Sequence, residues 1–298
     1  MPRKVRASLR RLLRLKNSML WFQLRNELWK LFGKQRTYIG SGMFFLAQSI
    51  GILLFQFGQG PYGELSRDIR HAGLSPEHFI SNLTVASFLL VPIVYFLLPL
   101  YVSLVGGDMV AKEAEDGTLR MILCRPISRL RLLALKWLAG AVFSLVLVVS
   151  LGVFSAIVAS VFFPSGGLFV VLPLENIFGT FEGAAAWERF AIVHFFMTFE
   201  AVTLMSLAFM FSCFNVKPAA ATILAISVFF ISMILHDMPY FREMREWFMV
   251  HHLYVWTHFF RQQIPWWRVG ESLSILAGYN LTFIIIGCAF FQRRDIKS

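Results

Sequence analysis

Residues 130–163 read LRLLALKWLAGAVFSLVLVVSLGVFSAIVASVFF, and this stretch decides the class of the protein. After Lys136 it contains no charged side chain up to Phe163. About 20 apolar residues cross roughly 30 Å of hydrocarbon as a helix, whereas a barrel strand would alternate polar and apolar residues. The stretch therefore predicts a transmembrane helix that is longer than the bilayer is thick, so it must tilt or project beyond it.

Similar apolar runs recur along the chain. Of its 298 residues 57% are hydrophobic and only 15% are charged, whereas a soluble domain has about 25% charged residues. We therefore expect an all-α polytopic membrane protein with six spans. The predicted spans cover residues 38–57, 84–106, 130–163, 190–213, 219–235 and 270–291. Pro92 and Pro99 predict a kink in the second span.

The segments between the spans differ in character. Residues 18–36 have leucines at helical spacing among basic residues, which predicts an amphipathic helix at the membrane surface, so residues 1–37 form a unit separate from the transmembrane domain 38–298. Residues 58–83 and 164–188 are predicted to be outer loops. Residues 236–269 are rich in aromatics but interrupted by charges and prolines, which predicts interfacial or re-entrant helices before the sixth span.

The formal net charge of +11 does not indicate nucleic acid, because the basic residues follow the topology. With an internal N-terminus, 21 of the 28 Lys and Arg residues fall on the inner side. This asymmetry is the positive-inside pattern, so we expect both termini in the cytoplasm and a bacterial-type inner membrane. No start resembles a cleaved signal peptide. The three cysteines lie near the inner side, where thiols stay reduced, and no disulfide is expected.

The charged segment 106–137 reads GGDMVAKEAEDGTLRMILCRPISRLRLLALKW. We expect Gly106 and Gly107 to end the second span. An acidic cluster then precedes a short apolar helix around Leu119, where it would suit the positive helix start. Pro126 would stop this helix, and Ser128 would cap the third span. The sequence thus predicts a short helix across the inner mouth of the bundle.

This segment resembles the signature region of the type 2 ABC transporter permeases. The resemblance extends to the six spans and the amphipathic N-terminal helix, although only about 30 residues are diagnostic. The residues that match in order and spacing are Glu113, Glu115, Gly117, Thr118, Leu119, Pro126, Ile127, Ser128, Arg129 and Lys136.

The resemblance implies that two surfaces contact a separate ATPase subunit, and the alternative is an ordinary charged loop that only anchors topology. The implied coupling helix comprises Glu113, Glu115, Asp116, Gly117, Thr118, Leu119, Arg120, Leu123 and Arg125. The implied connecting helix contains Arg25, Glu27, Lys30 and Lys34.

The chain lacks a phosphate-binding loop, because its single Gly-Lys pair, Gly33-Lys34, has no upstream glycine at the required spacing. ATP and Mg²⁺ would therefore bind the partner, and this chain is predicted to be a non-catalytic subunit with no cofactor of its own. The resemblance implies a dimer of two copies, or of this chain and a paralogue, that exports a hydrophobic or amphipathic substrate. The residues do not identify that substrate.

Glu200 and His194 are the candidate pathway residues, since ionisable side chains inside spans are costly and often functional. The alternative for Glu200 is a protonated carboxyl bonded to a neighbouring helix or to Thr203. A rival function is an intramembrane protease or lipid-modifying enzyme that uses Glu200. A soft-metal site in residues 236–269 is conceivable, but the ligand spacing does not favour it, and no metal is predicted. A secondary transporter would show internal repeats, which the sequence does not have.

Overall fold

The computed structural model describes residues 20–124, 127–172 and 177–294. Six helices in this part of the chain are long and apolar enough to cross a membrane, which confirms the predicted polytopic helical class. They are α2 (Gln35–Phe57), α5 (Asn82–Glu115), α7 (Arg129–Phe162), α8 (Gly183–Ser212), α9 (Pro218–Asp237) and α11 (Trp266–Arg293).

Shorter elements connect these six helices. They are α1 (20–32), α3 (Gln59–His71), α4 (Pro76–Phe79), α6 (Thr118–Leu123), strands β1 (Leu168–Leu172) and β2 (Ile177–Phe181), α10 (Met249–Leu253), and two 3-10 helices (Pro239–Trp247 and Tyr254–Phe260). We call the end of the bundle that has α6 the α6 end. The opposite end, with α4, the two strands and α10, is called the far end.

Helix α8 occupies the centre of the bundle and packs against α5, α7, α9 and α11. Its 18-residue apolar window is 67% buried, whereas that of α11 is 11% buried. The central position of α8 explains why its core-facing side chains are mainly small or flexible, including Ala201, Met205 and Ala208.

The second span does not end at Gly106 and Gly107 as predicted, because α5 continues to Glu115. Both glycines instead permit close helix packing. A β-carbon on Gly106 would lie 2.4 Å from the carbonyl oxygen of Met205, and one on Gly107 would lie 2.4 Å from Oγ1 of Thr222. Small residues allow such contacts between membrane helices. Gly106 therefore allows α8 to pack closely against α5, and Gly107 does the same for α9.

Pro92 distorts α5 without ending it. A π-helical turn, Ile93–Leu97, follows the proline directly, and the helix then continues through Pro99. A single π turn is a common way for a helix to absorb a missing hydrogen bond. The predicted distortion of this span is therefore present at Ile93–Leu97.

Two predicted loops contain regular structure. Residues 58–83 form α3 and α4, in which Leu65 and Ile69 are buried. The next connection forms an antiparallel hairpin that pairs Leu168 with Phe181. Its second strand leads into α8 at Gly183, earlier than the predicted start at residue 190. The hairpin is the part of the chain that the all-helical prediction did not include.

Candidate functional site

The end of α5 and the short helix α6 form a sharp corner. Gly117 separates the two helices with φ of 72°, a left-handed conformation that favours glycine. Thr118 Oγ1 donates to the carbonyl oxygen of Glu113 at 3.2 Å, across the corner. Ser128 then caps α7 as predicted, since its side chain accepts from the backbone N–H of Arg131. The order of glycine, short helix and cap thus turns the chain back into the bundle.

Helix α6 packs one face on the bundle and presents the other. Leu119 is buried, and Ile122 and Leu123 are partly buried against the core. Arg120 is exposed, and the Met121 side chain is 67% exposed. Methionine surfaces adapt well to partners because the side chain is flexible and polarizable. The short helix therefore offers an apolar and basic surface at the α6 end.

Four charged side chains from three helices meet behind this surface, and we call them the charge network: Glu27, Lys30, Glu113 and Lys136. Lys136 Nζ lies 2.7 Å from Glu113 Oε1 and 2.9 Å from Glu27 Oε2. Lys30 Nζ lies 2.7 Å from Glu27 Oε1 and 3.1 Å from Glu113 Oε1. The network therefore joins α1 both to the last turn of α5 and to the start of α7.

The charge network is more buried than a surface ion pair, so removing one of its members costs more free energy. The Lys136 side chain is 3% exposed, and the Glu27 and Glu113 side chains are 12% and 15% exposed. Burial alone would raise the pKa of Glu27, but Lys136 and Lys30 outweigh it and hold that pKa below its ordinary value. Burial would likewise lower the pKa of Lys30, but Glu27 and Glu113 raise it. All four charges are thus mutually compensated at neutral pH.

The other acids of the predicted cluster do not lie at the start of α6. Glu115 belongs to the last turn of α5, and Asp116 caps its end. Both carboxylates pair with Lys112, at 2.7 and 3.1 Å. Lysine in the last turn of a helix offsets the acidic groups there. These two acids thus belong to the end of α5, directly before the cap of α6 at Gly117, and their effect on the start of α6 stays a prediction.

The amphipathic helix lies within the predicted segment but ends earlier. Helix α1 covers 20–32, and its Leu24 and Leu28 pack against the core while Trp29 is exposed. Gly33 ends it, since its N–H bonds to the carbonyl oxygen of Trp29. Lys34 therefore lies in a turn before α2, not in the connecting helix as predicted.

Two further residues of the implied coupling and connecting helices, Arg25 and Arg125, do not belong to the charge network. Arg25 lies on α1 with its guanidinium 5.1 Å from the ring centre of Phe22. Arg125 and the neighbouring Pro126, which were predicted to complete the coupling segment, lie outside the described residues.

A groove of about 990 Å³ lies between α1 and α6, and three members of the charge network, Glu27, Lys30 and Glu113, line it. Its walls combine apolar and charged side chains. They include Trp29, Lys34, Met121, Ile122 and Ile127. A groove of mixed character at the α6 end suits a protein partner, because interfaces combine an apolar centre with a polar rim.

Arginines fasten the last helix to this end of the bundle. Arg129 donates to the carbonyl oxygens of Phe291, Gln292 and Arg294, at 3.1 to 3.4 Å. Arg294 in turn donates to the carbonyl oxygen of Phe214 at 3.1 Å. Basic side chains commonly bond the free carbonyls at a helix C-terminus. These hydrogen bonds therefore join the start of α7 to the end of α11, and the end of α11 to the end of α8.

Glu200 lies in the middle of α8 and is completely buried. Its Oε2 accepts a 2.9 Å hydrogen bond from the indole Nε1 of Trp256, in the second 3-10 helix. Of the two predicted partners, a neighbouring helix and Thr203, Thr203 is not the one, because it donates to the carbonyl oxygen of Phe199 and accepts from Asn280. The Trp256 side chain is itself completely buried in the bundle.

His194 is the other candidate pathway residue and lies elsewhere in the bundle. Its Nδ1 lies 2.7 Å from the carbonyl oxygen of Phe190, and its ring fills the space beside Gly152. In the described residues no hydrogen bond joins it to Glu200. The structure therefore does not bring the two predicted pathway residues into one polar site.

Sequence reasoning missed two residues that organise these sites. Lys136 was identified only as a motif position, although its charge at the start of an apolar run was a signal that it needs a buried partner. Trp256 was not distinguished from the other aromatic residues of the segment 236–269. Nothing in the local sequence distinguishes it from Trp266 or Trp267, both of which are exposed.

Comparison with known proteins places the chain in a family. The chain is 23% identical over 208 residues to a curated relative, the "Uncharacterized protein YhcI" of Bacillus subtilis (strain 168), with 67% of this chain and 64% of the relative covered. It thus spans less than two thirds of the length of that relative. A family model described as "Protein of unknown function (DUF2705)" matches residues 73–297, from the end of α3 to beyond α11. The match includes α6 and five of the six long helices, and the chain therefore belongs to the DUF2705 family.

Proposed function

We propose that this chain is the permease subunit of an ABC transporter in a bacterial-type inner membrane, with both termini in the cytoplasm. A separate ATPase subunit binds and hydrolyses ATP with Mg²⁺. The substrate is hydrophobic or amphipathic and moves outward through a pathway formed with a second copy of this chain or with a paralogue.

The observation that carries this proposal is the position of α6. It lies across the α6 end between two long apolar helices, with Met121 and Arg120 outward. Lys136 and Glu113, on the helices that flank it, are held 2.7 Å apart. Because these two side chains join the flanking helices, a displacement of α6 would act on α5 and α7 together.

Helix α1 gives the second support. It borders the groove beside α6 and is held to α5 and α7 by Glu27 and Lys30. A partner that binds α6 therefore also meets α1. Two adjoining elements on one face suit a rigid-body motion driven by a docked subunit.

Co-purification tests the proposal. The chain is expressed with the ABC ATPase encoded nearest its gene, solubilised and isolated, and the ATPase is quantified. Met121→Asp places a charge on the exposed face of α6 without disturbing the buried network, and it should remove most of the bound ATPase. Tyr240→Asp is the matched control, because Tyr240 is 89% exposed at the far end, and it should leave the complex intact.

The results separate the hypotheses. Recovery of the wild-type chain without an ATPase, or equal loss of the complex in both variants, would contradict the assignment. The rival hypothesis of an intramembrane enzyme gains no specific support from the described residues. Glu200 has no exposed surface, and its carboxyl bonds to an indole.

A further inference from the structure

Four of the seven histidines lie together at the far end, and we call them the histidine cluster: His236, His251, His252 and His258. The ring centre of His251 lies 5.7 Å from that of His236 and 5.1 Å from that of His252. The rings come from α9 and α10, and His258 follows in the second 3-10 helix. The fold thus brings together imidazoles from three elements.

Helix α10 is the element that the cluster surrounds. Its Met249, Val250 and Leu253 are buried, and it packs against both α9 and α11. A five-residue helix has no stability of its own, so these contacts hold it in place. The second 3-10 helix has separate support, because it packs against α8 and Trp256 bonds to Glu200 there. Whatever weakens the contacts of α10 therefore releases α10 itself.

His252 holds α10 through both of its ring nitrogens. Nδ1 lies 3.2 Å from Ser272 Oγ on α11, and Nε2 lies 2.9 Å from the carbonyl oxygen of Glu246. The second contact requires an N–H at Nε2, which leaves Nδ1 as the acceptor from the serine hydroxyl in the neutral ring. A protonated ring would present N–H groups on both sides and would lose the serine as a donor.

The surroundings of the cluster contain both charge signs. The basic groups lie in the first 3-10 helix, in the turn after the second 3-10 helix and in α11. The acidic groups lie in α9, in the first 3-10 helix and in α11. The basic groups are Arg245, Arg261 and Arg268, and the acidic groups are Asp237, Glu246 and Glu271.

Burial is the largest effect on three of the histidines, and it lowers the pKa of each. Burial first, and then His252 and His236, lower the pKa of His251 to about 4, against the opposing effect of Glu246. Burial, Arg261 and Arg268 lower the pKa of His258 to about 4. Burial also lowers the pKa of His252.

His258 adds a geometric observation. Its Nδ1 is buried and has no hydrogen-bond partner among the described residues. A proton placed on this nitrogen would have no acceptor, so charging the ring requires that it move toward water.

A metal does not account for the arrangement. No group of three or more His, Cys, Asp or Glu side chains in the described ranges has a geometry that could hold a metal ion.

We propose that the histidine cluster is a pH-responsive switch, in which acidification charges the imidazoles and releases α10 from between α9 and α11. The far end of the bundle then opens locally while α5, α7 and α8 keep their packing. This inference does not depend on the proposed transport function, since it concerns only the state of the far end.

The direction and the pH range follow from linkage. A histidine whose pKa is depressed in the folded state stabilises that state above its unfolded pKa of 6.5 and loses this contribution as pH falls toward about 4. Between pH 7.5 and pH 5, one such group favours the open form by roughly 30-fold. His251 and His258 together give a larger factor if both become solvated.

Amide hydrogen exchange on the purified full chain tests the switch. Exchange of peptides covering residues 249–253 is measured at pH 7.5 and pH 5 and corrected for intrinsic exchange rates, with peptides of α8 as the internal reference. Protection of residues 249–253 should fall by about 30-fold or more, whereas α8 should keep its protection.

Three variants assign the effect to the cluster. His251→Gln and the double variant His251→Gln/His258→Gln cannot gain the charge, so they should lose successive parts of the pH dependence. His71→Gln, at the exposed end of α3, should behave as wild type. Unchanged wild-type protection between the two pH values, or full pH dependence in the double variant, would overturn the proposal. If a variant fails to fold, the wild-type comparison still decides.

Discussion

Lys136 lies between the carboxylates of Glu113 and Glu27, with its Nζ 2.7 Å from one and 2.9 Å from the other. Only 3% of its side chain is exposed. The lysine is thus the one member of the charge network that contacts both acids while being almost completely buried, and it is the member whose loss leaves the most uncompensated charge.

The first prediction concerns this lysine. Lys136→Met should lower the free energy of unfolding by about 3–5 kcal/mol, since it leaves two largely buried carboxylates with only the half-exposed Lys30. Thermal unfolding of the purified protein measures the effect. Adding Glu113→Gln to the variant should recover part of the loss. Lys112→Met is the control and should cost much less, because its partner carboxylates Glu115 and Asp116 are 44% and 50% exposed.

The charge network also predicts a stability plateau with pH. Lys136 and Lys30 depress the pKa of Glu27, so its contribution is present above its unfolded pKa of 4.5 and is lost as pH falls through the lower folded value. Lys30 behaves oppositely, because its raised pKa gives a contribution that is present below 10.5 and is lost as pH rises through the folded value.

Hydrogen exchange of residues 20–32 therefore should be slow and nearly constant between these limits after correction for intrinsic rates. Glu27→Gln should raise exchange across the plateau and remove its acid limb. An acid limb that persists in Glu27→Gln would assign it to another group.

The glycines of α5 predict a contrast between two substitutions of the same type. Gly107→Ala would place a methyl group 2.4 Å from Thr222 Oγ1 and 3.1 Å from the Thr222 backbone nitrogen, so α9 must move. We expect a loss of about 1–3 kcal/mol from overpacking. Gly278→Ala is the matched control, because nothing lies within 4 Å of the added carbon. That variant should be neutral or slightly more stable, and equal melting temperatures for both would contradict the close packing.

The bond between Glu200 and Trp256 predicts a coupled pair. Trp256→Phe removes the donor to a buried carboxyl and should cost about 3 kcal/mol from the lost bond and the smaller ring. Glu200→Gln keeps an acceptor of the same shape and should be milder. A double-mutant cycle on unfolding should give a coupling of about 0.5–3 kcal/mol. Additive effects of Trp256→Phe and Glu200→Gln would mean that the bond contributes nothing to stability.

Local sequence was sufficient for the helical class, for the short helix α6 and for the cap of α7. The long apolar runs have one structural solution in a bilayer, and Ser128 caps α7 because its hydroxyl accepts from the free N–H of Arg131, in the first turn of the helix. Gly106 and Gly107 were misjudged because a glycine that ends a helix and one that permits close packing look alike in sequence. The difference depends on Met205 and Thr222, about 100 residues away.

The candidate site was predictable only in part. The acidic segment was recognised, but the partners of Glu113 were not. One of them, Lys30, lies 83 residues away in the sequence. Glu200 was identified from its cost inside a span, whereas Trp256 became significant only through the fold. Composition therefore identifies which charges need a partner, and tertiary packing determines which partner they have.

Helix α5 connects the two ends of the bundle. It extends from Asn82 to Glu115, a length of about 51 Å, and it is bonded near both ends. Thr84 Oγ1 accepts from the backbone N–H of Phe169 in the hairpin at 2.9 Å, and Glu113 contacts Lys136 at the other end. The π turn at Ile93–Leu97 divides the helix into a shorter segment on the hairpin side and a longer segment on the α6 side. A displacement of α6 would therefore reach the hairpin through this single helix.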